Sequence, residues 1–275
     1  QWLDRFTRYS FKDLSWNSGT HVAVGYEQVG TGWQLPSIQT STDGLEWSVA
    51  ELPPELVNSQ QSLAAIARGE EYYVVVGNQH AVRSEDAIEW EAFPLVQEAF
   101  DIVWGGDRFV ALTAEGSITS LDGAEWTGSH IVWTSVPSAP TGIYPRLATD
   151  GASYAAIGFG GKLYRSADAV TWSACAIDAD SQVADVIWSH ETGWLAVTLD
   201  AQILTSDDGT VWLIEDVPWD PSPPGTMWLD YYIPNRFRLA AGGGRTVALA
   251  EDMLLVQDCV PPRPRHLSGR VGQRP

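Results

Sequence analysis

A seven-residue segment that occurs five times restricts this chain more than anything else in it. Ser41-Thr-Asp43-Gly44-Leu-Glu-Trp47 comes back as Ser84-Glu-Asp86-Ala87-Ile-Glu-Trp90, Ser120-Leu-Asp122-Gly123-Ala-Glu-Trp126, Ser166-Ala-Asp168-Ala169-Val-Thr-Trp172 and Ser206-Asp-Asp208-Gly209-Thr-Val-Trp212. Successive copies lie 43, 36, 46 and 40 residues apart, the length of one four-stranded propeller blade. Each box has a physical logic. The Asp carboxylate can accept the backbone N–H groups of its own turn, Gly supplies a positive φ, and Trp covers the apolar layer of the blade. Two further short apolar runs precede each box, as in Asp101-Ile-Val-Trp104-Gly-Gly-Asp-Arg-Phe109-Val-Ala-Leu112 followed by Gly116 to Ser120. Strand A, turn, strand B, turn, strand C, box and strand D make one blade.

These boxes resemble the Asp-box, or BNR-like, β-propeller proteins, whose motif runs Ser-x-Asp-x-Gly-x-x-Trp. The chain departs from that motif in placing Gly directly after Asp, and Ala87 and Ala169 stand in the Gly position of two boxes. The resemblance covers nearly the whole chain and implies a fold more than an activity, because such propellers include sialidases, other glycosidases, receptors, assembly factors and lectin-like binders. A sialidase of this type would carry an Arg-Ile-Pro motif in an early blade. Tyr232-Ile-Pro234 lacks the Arg and lies late in the chain, so the sialidase roles do not transfer.

Innermost strands are expected near Leu14, Ala64, Ile102, Leu147, Val186 and Leu239, which makes six blades. The last unit supplies strands A to C and stops at Cys259 without a box Trp, while Gln1 to Thr7 reads as the end of a box and a strand D with no blade before it. The expected fold is therefore all-β: a six-bladed β-propeller of four-stranded antiparallel blades, its ring closed by the N-terminal strand pairing with the C-terminal blade. It would occupy residues 1–259, with 260–275 as a separate tail.

The boxes mark one face of the disc. The long connections, Tyr26 to Pro36, Ser48 to Ser62, Ser129 to Arg146 and Glu215 to Arg238, fall on the other, which makes that face the default binding surface. Of 14 Trp, five belong to boxes, Trp2 to a box remnant, Trp16, Trp104 and Trp188 to innermost strands, and Trp194 to a B strand. The remaining four, Trp33, Trp133, Trp219 and Trp228, lie in the long connections with Tyr144, Tyr231 and Tyr232. Beside carboxylates such as Asp220 and Asp230, such aromatics suit sugar stacking or a cationic group; equally, they can pin long loops onto the disc.

A second pattern lies along the central channel. Asp13, Asp101 and Asp185 open the inner strands of blades 1, 3 and 5, and Arg146 and Arg238 open those of blades 4 and 6. One reading makes the Asp residues general acids or bases and the Arg residues anion clamps. The preferred one is structural: large and small side chains alternate around a narrow axis, and acids pair with bases of neighbouring blades.

Charge and composition bound the rest. Sixteen Lys and Arg against 35 Asp and Glu give −19 and a pI near 4.4, which argues against nucleic acid. No apolar run reaches a membrane-spanning length. Cys175 and Cys259 are expected to be unpaired thiols. His21, His80, His130, His190 and His266 are dispersed, so no metal and no cofactor is expected. Residues 260–275 hold four Arg, four Pro and no acid, leaving −23 on the remainder. Such a basic Pro-rich arm suits docking on an acidic surface, of this propeller or of a partner. The chain starts at Gln1 without a signal-type apolar stretch, so it is a processed protein or a piece of one, and its acidic, Trp-rich composition points to a secreted, periplasmic or cell-surface location. The functional expectation is a non-catalytic binding or assembly module that takes a protein partner, a larger assembly or a glycan. The alternative is a glycoside hydrolase or lyase at the channel mouth.

Overall fold

The computed structural model describes residues 9–29, 33–57, 59, 61–130, 145–177, 182–200, 202–215, 237–242, 245–250 and 253–258. All regular structure among them is β, in six sheets. Sheet 1 is β1 (Tyr9–Asn17), β2 (Thr20–Val29), β3 (Trp33–Ser41) and β4 (Ser48–Val49). Sheet 2 is β5 (Leu63–Arg68), β6 (Tyr73–Gly77), β7 (His80–Ser84) and β8 (Glu91–Pro94). Sheet 3 is β9 (Ala99–Trp104), β10 (Phe109–Thr113), β11 (Gly116–Ser120) and β12 (Thr127–His130). Sheet 4 is β13 (Arg146–Thr149), β14 (Tyr154–Ile157), β15 (Leu163–Ser166) and β16 (Trp172–Ala174). Sheet 5 adds β17 (Ala176–Ile177), parallel to β21, to β18 (Val183–Ser189), β19 (Gly193–Thr198), β20 (Ile203–Ser206) and β21 (Val211–Ile214). Sheet 6 is β22 (Phe237–Gly242), β23 (Arg245–Ala250) and β24 (Met253–Asp258). Otherwise each sheet is an antiparallel meander in chain order. The expected inner-strand positions all fall on first strands, and those strands pack in sequence, β1 on β5, β5 on β9, β9 on β13, β13 on β18 and β18 on β22.

The second strands explain this stacking. Tyr73 to Val76, Phe109 to Leu112, Tyr154 to Ile157 and Trp194 to Val197 are continuous buried runs, because sheets 2 to 5 are covered on both faces by neighbours and have no solvent side for polar residues to occupy. Each junction from sheet 1 to sheet 6 has its own apolar cluster, from Val22, Val24, Ile38 and Leu63 at the first to Leu195, Val197 and Leu239 at the fifth.

The five boxes share one turn, differing at the second, where the Trp90 Nε1 makes no hydrogen bond. In the first, Ser41 Oγ accepts the Gly44 N–H (2.9 Å) and donates to Asp43 Oδ1 (3.1 Å), Asp43 Oδ1 accepts the N–H groups of Leu45 (2.8 Å) and Glu46 (2.9 Å), and Trp47 Nε1 donates to the Gly44 carbonyl (3.2 Å). The residue after Asp has φ of 71° at Gly44, 65° at Ala87, 82° at Gly123, 60° at Ala169 and 72° at Gly209. The two alanines thus adopt the left-handed geometry that glycine takes without cost.

One long connection differs from expectation. Tyr26 to Pro36 is not a loop: β2 and β3 continue pairing through Tyr26↔Pro36, Glu27↔Leu35, Gln28↔Gln34 and Val29↔Trp33, so sheet 1 extends as a hairpin. The connection after β4 turns at residues 54–57 and inserts Leu56, fully buried, between sheets 1 and 2. Residues 1–8, the proposed closing strand, and the tail lie outside the described residues.

Candidate functional site

Channel-mouth residues are positioned by irregularities in the inner strands. Register slips precede Asp13 in β1 and Asp185 in β18, and one falls between Ala99 and Asp101 in β9. Each carboxylate then does the same thing. Oδ1 accepts the N–H of the next residue, Leu14 (2.8 Å), Ile102 (2.9 Å) or Val186 (3.0 Å). Oδ2 accepts an N–H from the inner strand of the following sheet: Ile66 (2.9 Å), Leu147 (2.8 Å) or Leu239 (2.9 Å). Three aspartates strap sheet 1 to 2, 3 to 4 and 5 to 6. The neighbour that each reaches is thus a backbone N–H, a role that reading acids and bases as pairs did not anticipate.

Asp185 is buried and Asp13 and Asp101 are half-buried. Burial is the largest influence on all three and disfavours the charged form. It pushes Asp185 up to about 7 against the pull of Arg146 and the Leu239 N–H. Asp13 rises to about 6 through burial and the Asp101 charge. Burial also raises Asp101, again opposed by Arg146. The half-buried Arg146 therefore lies within electrostatic reach of all three acids; Arg238 stands at the matching place in β22, one residue before Leu239.

Of the expected aromatic platform, Trp33 is described. It opens β3 at the far end of the sheet 1 hairpin and is 55% exposed, opposite Val29. Nearby, the Lys12 ammonium lies 5.4 Å from the Tyr26 ring centre. Trp133, Tyr144, Trp219, Asp220, Trp228, Tyr231 and Tyr232 lie outside the described residues. Cys175 is a free thiol whose Sγ donates to the Gly209 carbonyl (3.3 Å), and burial pushes it up to about 11, far from a reactive thiolate.

Arg83 and Arg165 were not foreseen. The Arg83 guanidinium lies 4.7 Å from both the Tyr72 and Phe93 rings and pairs with Asp122 Oδ2 of the next box at 2.8 Å. Arg165 lies 5.0 Å from the Trp194 ring, beside Gly209 of the next box. Their signal was present: both immediately precede a box Ser.

No family model and no curated protein matches the chain. Solved structures do. YCF48 bound to D1 peptide aligns with a TM-score of 0.67 at 14% identity over 92% of this chain and 79% of that one. YCF48 from Cyanidioschyzon merolae gives 0.56 at 16% identity over 92% and 96%. A GH74 xyloglucanase from Xanthomonas campestris gives 0.52 at 16% identity over 84% of this chain and 34% of that one. With the meander topology, these likenesses make the chain a β-propeller; at such identities they carry the fold alone.

Proposed function

We propose that this propeller is a non-catalytic binding or assembly module, working through the face that carries the long connections and engaging a protein partner or a glycan. The observation that carries the reading is the use of the channel acids. Asp13, Asp101 and Asp185 are oriented by framework N–H groups on both oxygens, which suits a strap better than a proton donor that must follow a substrate. That the YCF48 neighbour was solved with a peptide supports a protein partner over a glycan.

The reading includes a six-bladed ring of Asp-box type over residues 1–259, closed by residues 1–7 as fourth strand of sheet 6. Residues 260–275 form a basic arm for an acidic surface, and the protein is exported. Trp33, Trp133, Tyr144, Trp219, Asp220, Trp228, Tyr231 and Tyr232 would form the contact surface. Peptide and glycan arrays, run beside an assay on fluorogenic glycosides, test it: binding lost in Trp33→Ala or Trp219→Ala with no turnover supports it.

One observation favours the enzyme reading. Asp13 and Asp185 are raised toward neutrality, as a general acid requires. Glycoside turnover abolished by Asp101→Asn would replace the binding reading with this one.

A further inference from the structure

The sheets alternate in type. The inner-strand residue just before Leu14, Ile66, Ile102, Leu147, Val186 and Leu239 reads Asp13, Ala65, Asp101, Arg146, Asp185, Arg238 through sheets 1 to 6; only the odd sheets carry Asp, followed three residues later by Trp16, Trp104 or Trp188. The residue after the box Asp reads Gly44, Ala87, Gly123, Ala169, Gly209, and the residue before the box Ser reads Thr40, Arg83, Thr119, Arg165, Thr205. The even inner strands instead share a small residue two places on, Ala67, Ala148 and Ala240.

Packing gives this alternation a cause. At the junction of sheets 2 and 3, Ala65 and Ala67 cluster with Ile102 and Trp104, and a side chain at Gly69 would strike the Phe109 and Trp104 rings, at 2.6 and 3.0 Å. At the junction of sheets 4 and 5, Ala148 clusters with Val186 and Trp188. An even sheet offers a small-residue floor, and the following odd sheet lays its aromatic on it. Ile102 and Val186 are each 3% exposed as a result.

In sheet 1 the same positions are bare. Leu14 is 55% and Trp16 63% exposed, and β22 shares no extensive contact with β1. Yet Ala240 stands at the place of Ala67 and Ala148, and Gly242 at that of Gly69, in the even sheet with no odd sheet after it. The straps agree: Asp13 already holds the Leu14 N–H, as Asp101 and Asp185 hold those of Ile102 and Val186, so sheet 1 needs no acid from the sheet before it and Arg238 supplies none.

We infer that the Leu14/Trp16 face of sheet 1 is an interaction surface for the Ala240/Gly242 floor of sheet 6 of the same chain, so that three two-sheet units close into a pseudo-threefold ring. Each junction between units then repeats one aromatic-on-alanine contact, and an even number of sheets is required, since an odd number would set two like sheets side by side. This rests on the six-sheet ring proposed above. Sheet 6 departs from type after its inner strand, with Val256 where sheets 2 and 4 carry Arg83 and Arg165, and with no Ser-x-Asp-Ala box following it in the sequence.

Fluorine NMR of the full chain labelled with 5-fluorotryptophan tests the contact. Resonances are identified by their loss in Trp16→Phe, Trp104→Phe and Trp188→Phe, and the H2O/D2O isotope shift reads each ring's exposure. The expected result is a Trp16 shift as small as those of Trp104 and Trp188 in a protein monomeric by light scattering. A full solvent shift at Trp16 overturns the inference. So does protection that appears only with concentration-dependent dimers, which would seat a second copy there. Ala240→Leu should lower the urea midpoint as much as Ala148→Leu does, and an unchanged midpoint counts against the contact. Deleting residues 1–7 separates the two proposals: a Trp16 still protected with an unchanged midpoint sinks the closing strand and leaves this contact standing.

Discussion

Asp185→Asn should reverse its effect on stability with pH. Burial raises the Asp185 carboxyl from an ordinary 3.8 to about 7. At about 1.4 kcal/mol for each factor of ten in proton affinity, that corresponds to about 4 kcal/mol. Because the folded-state value is the higher one, folding favours the neutral acid. That contribution is complete below about pH 4 and is lost as pH rises through about 7. Asparagine does not titrate, but its amide NH2 faces a donor. Asp185 accepts both the Val186 and Leu239 N–H groups, so one of these loses its acceptor at a cost of about 1–3 kcal/mol. The variant should therefore be less stable than the parent by about 1–3 kcal/mol near pH 4. Above pH 7, where the parent holds a buried charge, it should be more stable by a similar amount. Urea unfolding at intervals from pH 4 to 8 measures this, and the difference between the two proteins cancels the pH dependence of the acids that are not coupled to Asp185, as Asp101 is. A difference that stays constant across the range would refute the claim that burial dominates at this carboxyl.

The box acids should behave in the opposite sense. Hydrogen bonds from the Thr171 and Val170 N–H groups hold Asp168 down at about 2, so its stabilisation is present above about pH 4 and lost as pH falls toward 2. Asp168→Ala should cost about 0.5–1 kcal/mol at pH 6, modest because the turn is solvated, and the gap should narrow in acid unfolding curves. Gly123→Ala should cost about 2–4 kcal/mol, because φ is 82° and the new Cβ would lie 2.4 Å from Val74 Cγ2, adding overpacking to the left-handed penalty. Gly44→Ala, with no atom nearer than His21 Cε1 at 3.9 Å, should cost only about 1 kcal/mol in the same assay. Arg83→Met should lower stability by about 1–2 kcal/mol and raise the Asp122 pKa in an NMR titration, since the Arg83 charge is among the influences holding that carboxyl down.

Much of the architecture was legible because its signals are local. A box closes its hydrogen bonds within seven residues, so Ser, Asp, Gly and Trp at fixed offsets specify the turn wherever the chain places it, and Ala87 and Ala169 could be recognised as occupants of a glycine position. The inner strands near Leu14, Ile102 and Val186 were equally plain, since each carries the same Asp-x-x-Trp segment just ahead of a turn and a second apolar run. The sheet 1 hairpin was misread because Tyr26 to Pro36 carries Gly30, Gly32 and Pro36. Pro36 nonetheless sits within β3, opposite Tyr26.

The candidate site divides along the same line. An Asp within three alternate inner strands is visible in the amino-acid order, and so is the Trp three places on. What each carboxylate does is not visible, because its second partner is 46 to 54 residues away and becomes a neighbour only when one sheet stacks on the next. Its proton affinity likewise depends on how much water that stacking removes and on the approach of Arg146, neither of which has a sequence period. Turns and strand type follow from short-range sterics and hydrogen bonding. The straps, the raised acids and the fit of Trp104 and Trp188 onto alanine floors arise where distant segments exclude water together, which only the packed sheets bring about.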